Sequence, residues 1–386
     1  MNFQLGVRNT LAGITTSLAM VPEVVAFALL ATVNPLVGLY AAVILGFVTA
    51  AFGGRPGLIS GGAGSLAVVS VALVVSHGIQ YLFACIILMG FFQVLFGLFK
   101  LGKLIRYVTP AVMNGFVNGL ALIIFLSQFK QIPGSGKALY IMLALIAVTV
   151  LGVVIAPRIT KKIPASLFGI VVVSLLVLCF GIPTKTVGDI ASISGSLPAF
   201  ALPEVPKTLE TLWIVLPYSL ILGAIGLIET LLTANLVDDF VHAHKPHHNT
   251  HPNKESLAQG IGNVLTGLFG GMGGCAMIGQ TVINLEAGGF SRLAGIVSSL
   301  AVLCYILFAS PVIEAIPIAA LIGVMFVVCF HTFDWKTFTK SKDHVAITLV
   351  VMIATVVTNL AYAVLIGIAI NSAYNYYPRK TASRRL

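Results

Sequence analysis

The chain has 386 residues, of which 58% are hydrophobic and only 9% charged, where a soluble domain carries about 25% charged residues. So apolar a chain cannot cover a water-facing surface, which excludes a soluble globular protein and makes lipid its main solvent. The net charge of +10 reads as membrane topology and contact with anionic lipid, not as nucleic-acid binding.

Taken in chain order, the apolar runs predict an all-α polytopic membrane protein of fourteen segments, at 8–33, 36–53, 61–77, 80–99, 104–128, 138–157, 165–181, 210–235, 256–271, 275–288, 291–309, 311–331, 343–358 and 359–377. Segments three, nine and ten are too short to span as helices, since about 20 apolar residues are needed. Segment twelve is interrupted by Pro317. Turn chemistry such as Asn34-Pro35 and Gly53-Gly54-Arg55-Pro56 separates the others. The first run continues beyond a signal-peptide core, so no cleavable leader is expected. Cys85, Cys179, Cys275, Cys304 and Cys329 have no CxxC spacing and read as buried small hydrophobes.

With a cytoplasmic N-terminus, all but four of the 22 Lys and Arg residues fall inside. The four outside are Lys130, Lys137, Lys185 and Lys207. Both termini are then cytoplasmic, in a bacterial-type plasma membrane. The outside link 182–209, rich in Pro, Ser and Gly, divides the chain into two halves of seven segments. An odd number per half makes the second half enter from the opposite side, the condition for an inverted repeat. The halves share an order of features: an acid in segments one and eight (Glu23, Glu229), and a glycine-rich start in segments three (Ser60–Ser65) and ten (Gly273–Gln280).

Irregular backbone at membrane depth must line a cavity or lie buried in protein. If segments three and ten begin mid-membrane, their free N–H groups and roughly half a positive charge per helix start make an anion site without a fixed cation. The alternative is that these small residues only let helices pack. Ser60–Ser65 lacks the GK[ST] ending of a nucleotide loop. Acids inside apolar runs usually face a cavity and do work. Glu229 and Thr233 share a helix face. With carbonyls freed at segment ten they would make an oxygen cradle for a hard cation such as sodium, and a protonated Glu229 is the other option. Glu23 follows Pro22, which removes a backbone donor. Glu314 reads as interfacial, and Asp238-Asp239 as a solvated cap after segment eight. His242, His244, His247, His248 and His251 crowd one loop, which reads as solvated, with metal binding or pH sensing as the alternative. No enzyme signature is present.

The stretches PEVVAFA (22–28), GLYAAVILGFVTAAFGG (38–54), LISGGAGS (58–65), GLIETLLTANLVDD (226–239) and GLFGGMGGCAMIGQTVINLEAGGFSRLAG (267–295) resemble the sulfate permease (SulP) family of inorganic-anion transporters, above all its bicarbonate-transporting branch. The resemblance runs from about 8 to 377. It implies a 7+7 inverted repeat with a core domain (8–99 and 210–309), a gate domain (104–181 and 311–377), the extracellular linker 182–209 and a basic tail at 378–386. Half-helices at segments three and ten would hold the anion, at Ala63, Gly64, Ser65, Met277, Ile278 and Gly279, with Glu23 and Gln280 as further expected residues of the anion site. In sodium-coupled members an acid and a threonine four later hold the cation; here they are Glu229 and Thr233, with backbone around Ala276 and Ile278. Many relatives have Gln where Glu23 stands and Arg where Gln280 stands. That makes this site less cationic, disfavours a dianion and favours a monovalent anion or tighter cation coupling. Most relatives also carry a cytoplasmic STAS domain, whereas this sequence stops at Leu386.

The resulting expectation is a secondary transporter, not an enzyme: sodium-coupled bicarbonate symport first, sulfate next, by an elevator-type cycle. Alternatives are proton coupling, a nucleobase permease of the same fold, or a passive anion channel. No cofactor is expected beyond sodium as coupling ion. The expected partners are the anion and membrane lipid, with a homodimer left open.

Overall fold

The computed structural model describes residues 3–101, 109–159, 163–193, 197–242 and 250–357, together with 366 and 369. The first half supplies α1 (Phe3–Leu30), α2 (Pro35–Phe52), β1 (Ser60–Gly61), α3 (Gly64–His77), α4 (Ile79–Leu98), α5 (Pro110–Gln128), α6 (Lys137–Ile159) and α7 (Ala165–Phe180). The second supplies α8 (Leu209–His242), α9 (Pro252–Leu268), β2 (Cys275–Ala276), α10 (Ile278–Glu286), α11 (Arg292–Phe308), α12 (Ser310–Glu314), α13 (Ile318–Thr332) and α14 (Lys342–Val357). Among the described residues, seven helices are long and apolar enough to cross a membrane, and this is a helical membrane protein.

The fourteen α-helices among the described residues match the expected number of segments but not their identities. Segment twelve is two helices, because Pro317 disfavours helical backbone at Ile316. Segment fourteen (359–377), apart from residues 366 and 369, and the tail (378–386) lie outside the described residues, as do His244, His247 and His248. Segment eight runs seven residues beyond 235, to His242. Hydropathy ends there before the helix does, since VDDFVH contains neither Gly nor Pro.

That extension corrects the reading of Asp238. It is no solvated cap: its Oδ1 pairs with buried Arg55 Nε at 3.0 Å, and its Oδ2 accepts from Thr250 N at 3.1 Å. The pair ties the end of α8 to the α2–β1 loop. Cys85, Cys275 and Cys329 are buried as expected, but Cys179 and Cys304 are exposed on the bundle surface. There an apolar thiol meets lipid as readily as protein.

The helices pack in two groups. In one, α2 lies against α9 and α11, α4 against α8 and α9, and α1 against α2, α3, α10 and α11. In the other, α5 lies against α13 and α14, and α6 against α7 and α13. Close approach of α4 to α9 depends on missing side chains: a Cβ on Gly90 would stand 2.6 Å from Val264 N, and one on Gly260 2.6 Å from Val94 N. The two halves of the chain meet in an antiparallel ribbon of two residues per strand, with Ser60 opposite Ala276 and Gly61 opposite Cys275.

The described parts of the 182–209 link, 182–193 and 197–209, are strapped across one end of the bundle. Val187 N donates to Ile316 O and Ile318 N to Lys185 O, both at 2.9 Å. Glu314 fixes the next stretch by accepting from Ser192 Oγ at 3.0 Å and Ile193 N at 2.5 Å. Farther on, Ala201 N donates to Leu268 O at 2.9 Å, and Glu204 N to Gln80 Oε1 at 3.1 Å.

Candidate functional site

The ribbon explains why two helices start deep in the bundle. Backbone at β1 and β2 satisfies itself by pairing, so each chain can turn directly into a helix without reaching water. The helix α3 starts after Ala63 and α10 after Met277, both in extended conformation and neither with a side-chain cap. The first-turn amides of both helices therefore have no partner within the helix. Met277 N is held by Ile59 O at 2.8 Å, and Ile59 N by Thr281 Oγ1 at 3.1 Å.

Both helix starts line one cavity of about 70 Å³. A single water needs roughly 10–15 Å³ by such a measure, so a small polyatomic ion fits. The cavity's walls come from Glu23 and Phe27 of α1, Phe116, Leu120 and Ile124 of α5, Glu229 and Leu232 of α8, and Val328 and Thr332 of α13. It lies where the two packing groups face each other. Among the described residues no lysine, arginine or histidine lines it, and the positive ends of the two helix starts are the groups there that favour an anion.

Of the residues expected at the anion site, Glu23, Ala63, Gly64, Ser65, Met277, Ile278 and Gly279 all line this cavity. Gln280 is buried and does not; its Nε2 donates to Glu23 Oε2. Ser65 turns its hydroxyl to the expected cation site, donating to Glu229 Oε2 at 2.5 Å. Thr233 and Ala276 are buried but do not line the cavity. Thr233 Oγ1 donates to Glu229 O at 2.7 Å and lies 3.4 Å from Ala276 O. The geometry brings the Glu229 carboxylate, Thr233 and the Ala276 carbonyl onto one side of the ribbon.

Sequence reasoning missed the support behind the ribbon. Along α9, Glu255, Gln259 and Asn263 recur at every fourth residue and are all fully buried. Glu255 Oε2 accepts from Gly54 N at 2.6 Å and Arg55 N at 3.1 Å. Gln259 Nε2 donates to Ser60 Oγ at 2.8 Å. Asn263 grips Gly274 at both backbone groups, with Oδ1 accepting at 2.9 Å and Nδ2 donating at 3.0 Å, and also reaches Gln93 Oε1 at 2.8 Å. On the other side Thr230 Oγ1 accepts from Ala276 N at 3.1 Å. The signal was present in the i, i+4, i+8 spacing: a polar stripe in a membrane helix must find buried partners.

The sulfate permease family model matches residues 7–138 and 136–355. The chain is 43% identical to a putative sulfate transporter, YbaR, of Bacillus subtilis over 95% of its own length and 76% of that protein's. It is 33% identical to the bicarbonate transporter BicA of Synechocystis, over 86% of this chain and 63% of that one. Among solved structures it superposes on the transmembrane domain of a cyanobacterial bicarbonate transporter BicA with a TM-score of 0.82, at 28% identity, covering 95% and 98% of the two chains. With a family match over nearly the whole described length and the same transmembrane architecture, the chain belongs to the sulfate permease family of anion transporters.

Proposed function

We propose that this protein is a secondary active transporter that carries bicarbonate, with sulfate as the next choice, coupled to sodium. The observation that carries the reading is the pair of uncapped helix starts at Ala63 and Met277 lining one small cavity beside Glu229. Aligned N–H groups stabilise an anion there without a fixed cation. The resemblance to BicA supports bicarbonate, the match to YbaR sulfate. Two acids and, among the described residues, no basic side chain at the cavity favour a monovalent anion over a dianion.

The sodium site in this reading comprises the Glu229 carboxylate, Thr233 Oγ1 and backbone carbonyl near Ala276, an all-oxygen set suited to a hard cation. Sodium there offsets the Glu229 charge, so the loaded site crosses the membrane with one negative charge fewer than the anion and the bare carboxylate would carry together. The anion meets the amides of Gly64, Ser65, Ile278 and Gly279. The packing group of α1–α4 and α8–α11 acts as a mobile core, related within the chain by the inverted repeat. The group of α5–α7 and α12–α14 acts as the gate against which the core slides. Both termini lie in the cytoplasm of a plasma membrane, with the 182–209 link outside.

Uptake of labelled bicarbonate into proteoliposomes, with and without an inward sodium gradient, tests the proposal. Stimulation by sodium that disappears in Glu229→Ala is expected. Equal uptake under both conditions, with Glu229→Ala unimpaired, removes the coupling. Glu23 supplies a second reading, coupling to protons, because a second carboxylate faces the same cavity and is held by Gln280. Uptake driven by a pH gradient without sodium, and lost in Glu23→Gln, would favour it.

A further inference from the structure

A second cavity, of about 620 Å³, lies at the end of the bundle where the 182–209 link is strapped. Its volume is in the range of small-molecule sites. It shares no lining residue with the central cavity. Two lysines line it: Lys130, from the short turn after α5, and Lys185, from the link. Lys185 sits on ordered backbone, because its carbonyl accepts from Ile318 N and its neighbour Thr186 bridges to Pro317. The remaining wall is largely apolar, with Met142 of α6, Ile318 of α13, and Ile132 and Pro133 of the α5–α6 turn. Asp189 also lines it. Thr186 N and Oγ1 bond its Oδ2 and, with Lys185 nearby, hold its carboxylate below the ordinary range. The cavity thus carries two positive charges against one negative.

We propose that this cavity binds an amphiphilic anion, a phosphate ester or carboxylate with an apolar body, its head between Lys130 and Lys185 and its body against Met142 and Ile318. An inorganic ion leaves the apolar wall unused, and a neutral hydrocarbon leaves the ammonium groups unpaired. An occupant would bridge the α5–α6 turn and the link. Its source is either an anionic lipid of the surrounding bilayer or a soluble amphiphile.

The test measures binding of dodecyl phosphate to the purified full chain in phosphatidylcholine nanodiscs, with inorganic phosphate and dodecanol as comparison probes. Saturable binding of dodecyl phosphate is expected, far tighter than either comparison. The double variant Lys130→Gln/Lys185→Gln should weaken it roughly tenfold, as loss of two charge-assisted contacts implies. Met142→Trp, which fills the apolar wall and leaves both lysines, should weaken it as well. Nanodiscs containing phosphatidylglycerol separate the sources: competition identifies a lipid ligand, its absence a soluble one. Unchanged affinity in both variants, or equal binding of dodecanol or inorganic phosphate, overturns the proposal. The readout is binding, so its failure leaves the transport reading untouched.

Discussion

The two helix starts that meet in the central cavity are built from similar backbone and differ in their surroundings. At α3 the start is crowded: a Cβ on Gly64 would stand 2.6 Å from Phe27 Cε1 and 2.9 Å from Ile124 Cδ1. At α10 a Cβ on Gly279 would meet nothing within 4 Å. The α3 start is also tied to Glu229 through Ser65, while the α10 start is tied to Glu23 through Gln280. One terminus is therefore packed and linked to the expected cation site, and the other is open to an approaching ion. Matching helix ends in the two halves need not do matching work.

The comparison breaks most readily at Glu229. Glu229→Ala should abolish sodium-stimulated uptake, a loss of about a hundredfold or more, since removing one partner of a buried charge assembly typically costs 3–5 kcal/mol. Tracer uptake at fixed bicarbonate checks this, and preserved stimulation would detach the α3 side from coupling. Gly64→Val comes next, with uptake reduced roughly tenfold or more, because overpacking a tight site costs about 1–3 kcal/mol. Normal uptake would mean that α3 is not packed as described.

Asn263→Leu probes the support shared by both starts. It removes the Asn263 partner of Gly274 N–H, Gly274 O and Gln93 Oε1, and about 1–3 kcal/mol is expected per unsatisfied buried group. Thermal unfolding in detergent should show a lowered midpoint, and an unchanged one would remove α9 from its role. Glu23→Gln should leave sodium stimulation within about threefold of the parent, the scale of a single neutral hydrogen bond, while flattening the dependence of uptake on pH. The smallest effect belongs to Gly279→Ala, whose added methyl enters open space; uptake within about twofold is expected, as for substitutions away from packed features. A loss at Gly279→Ala as large as at Gly64→Val would erase the asymmetry.

Much of this was legible in the residues. The glycine-rich runs before α3 and α10, and acids at Glu23 and Glu229, pointed to one cavity because polar groups in lipid have few places to go. The partner of Gln280 was not legible, since Glu23 is 257 positions away in the chain. Asp238 was misread because hydropathy marks where lipid ends, not where a helix ends. Glu255, Gln259 and Asn263 were overlooked because their helix is less apolar than its neighbours, and its polar stripe was not weighed as a scaffold.

By itself the sequence determined the solvent, the predominantly helical architecture, the approximate limits of most segments and the family, but not the short β ribbon. These depend on local quantities: run length, composition, charge between runs and adjacent motifs. Only the tertiary structure decided that Ser60 lies opposite Ala276, that Ser65 turns to Glu229 while Gln280 turns to Glu23, and that α9 holds the ribbon from behind. Those are choices of partner between distant segments. Each depends on which buried donor and acceptor arrive within about 3 Å of each other, which no single stretch of the chain encodes.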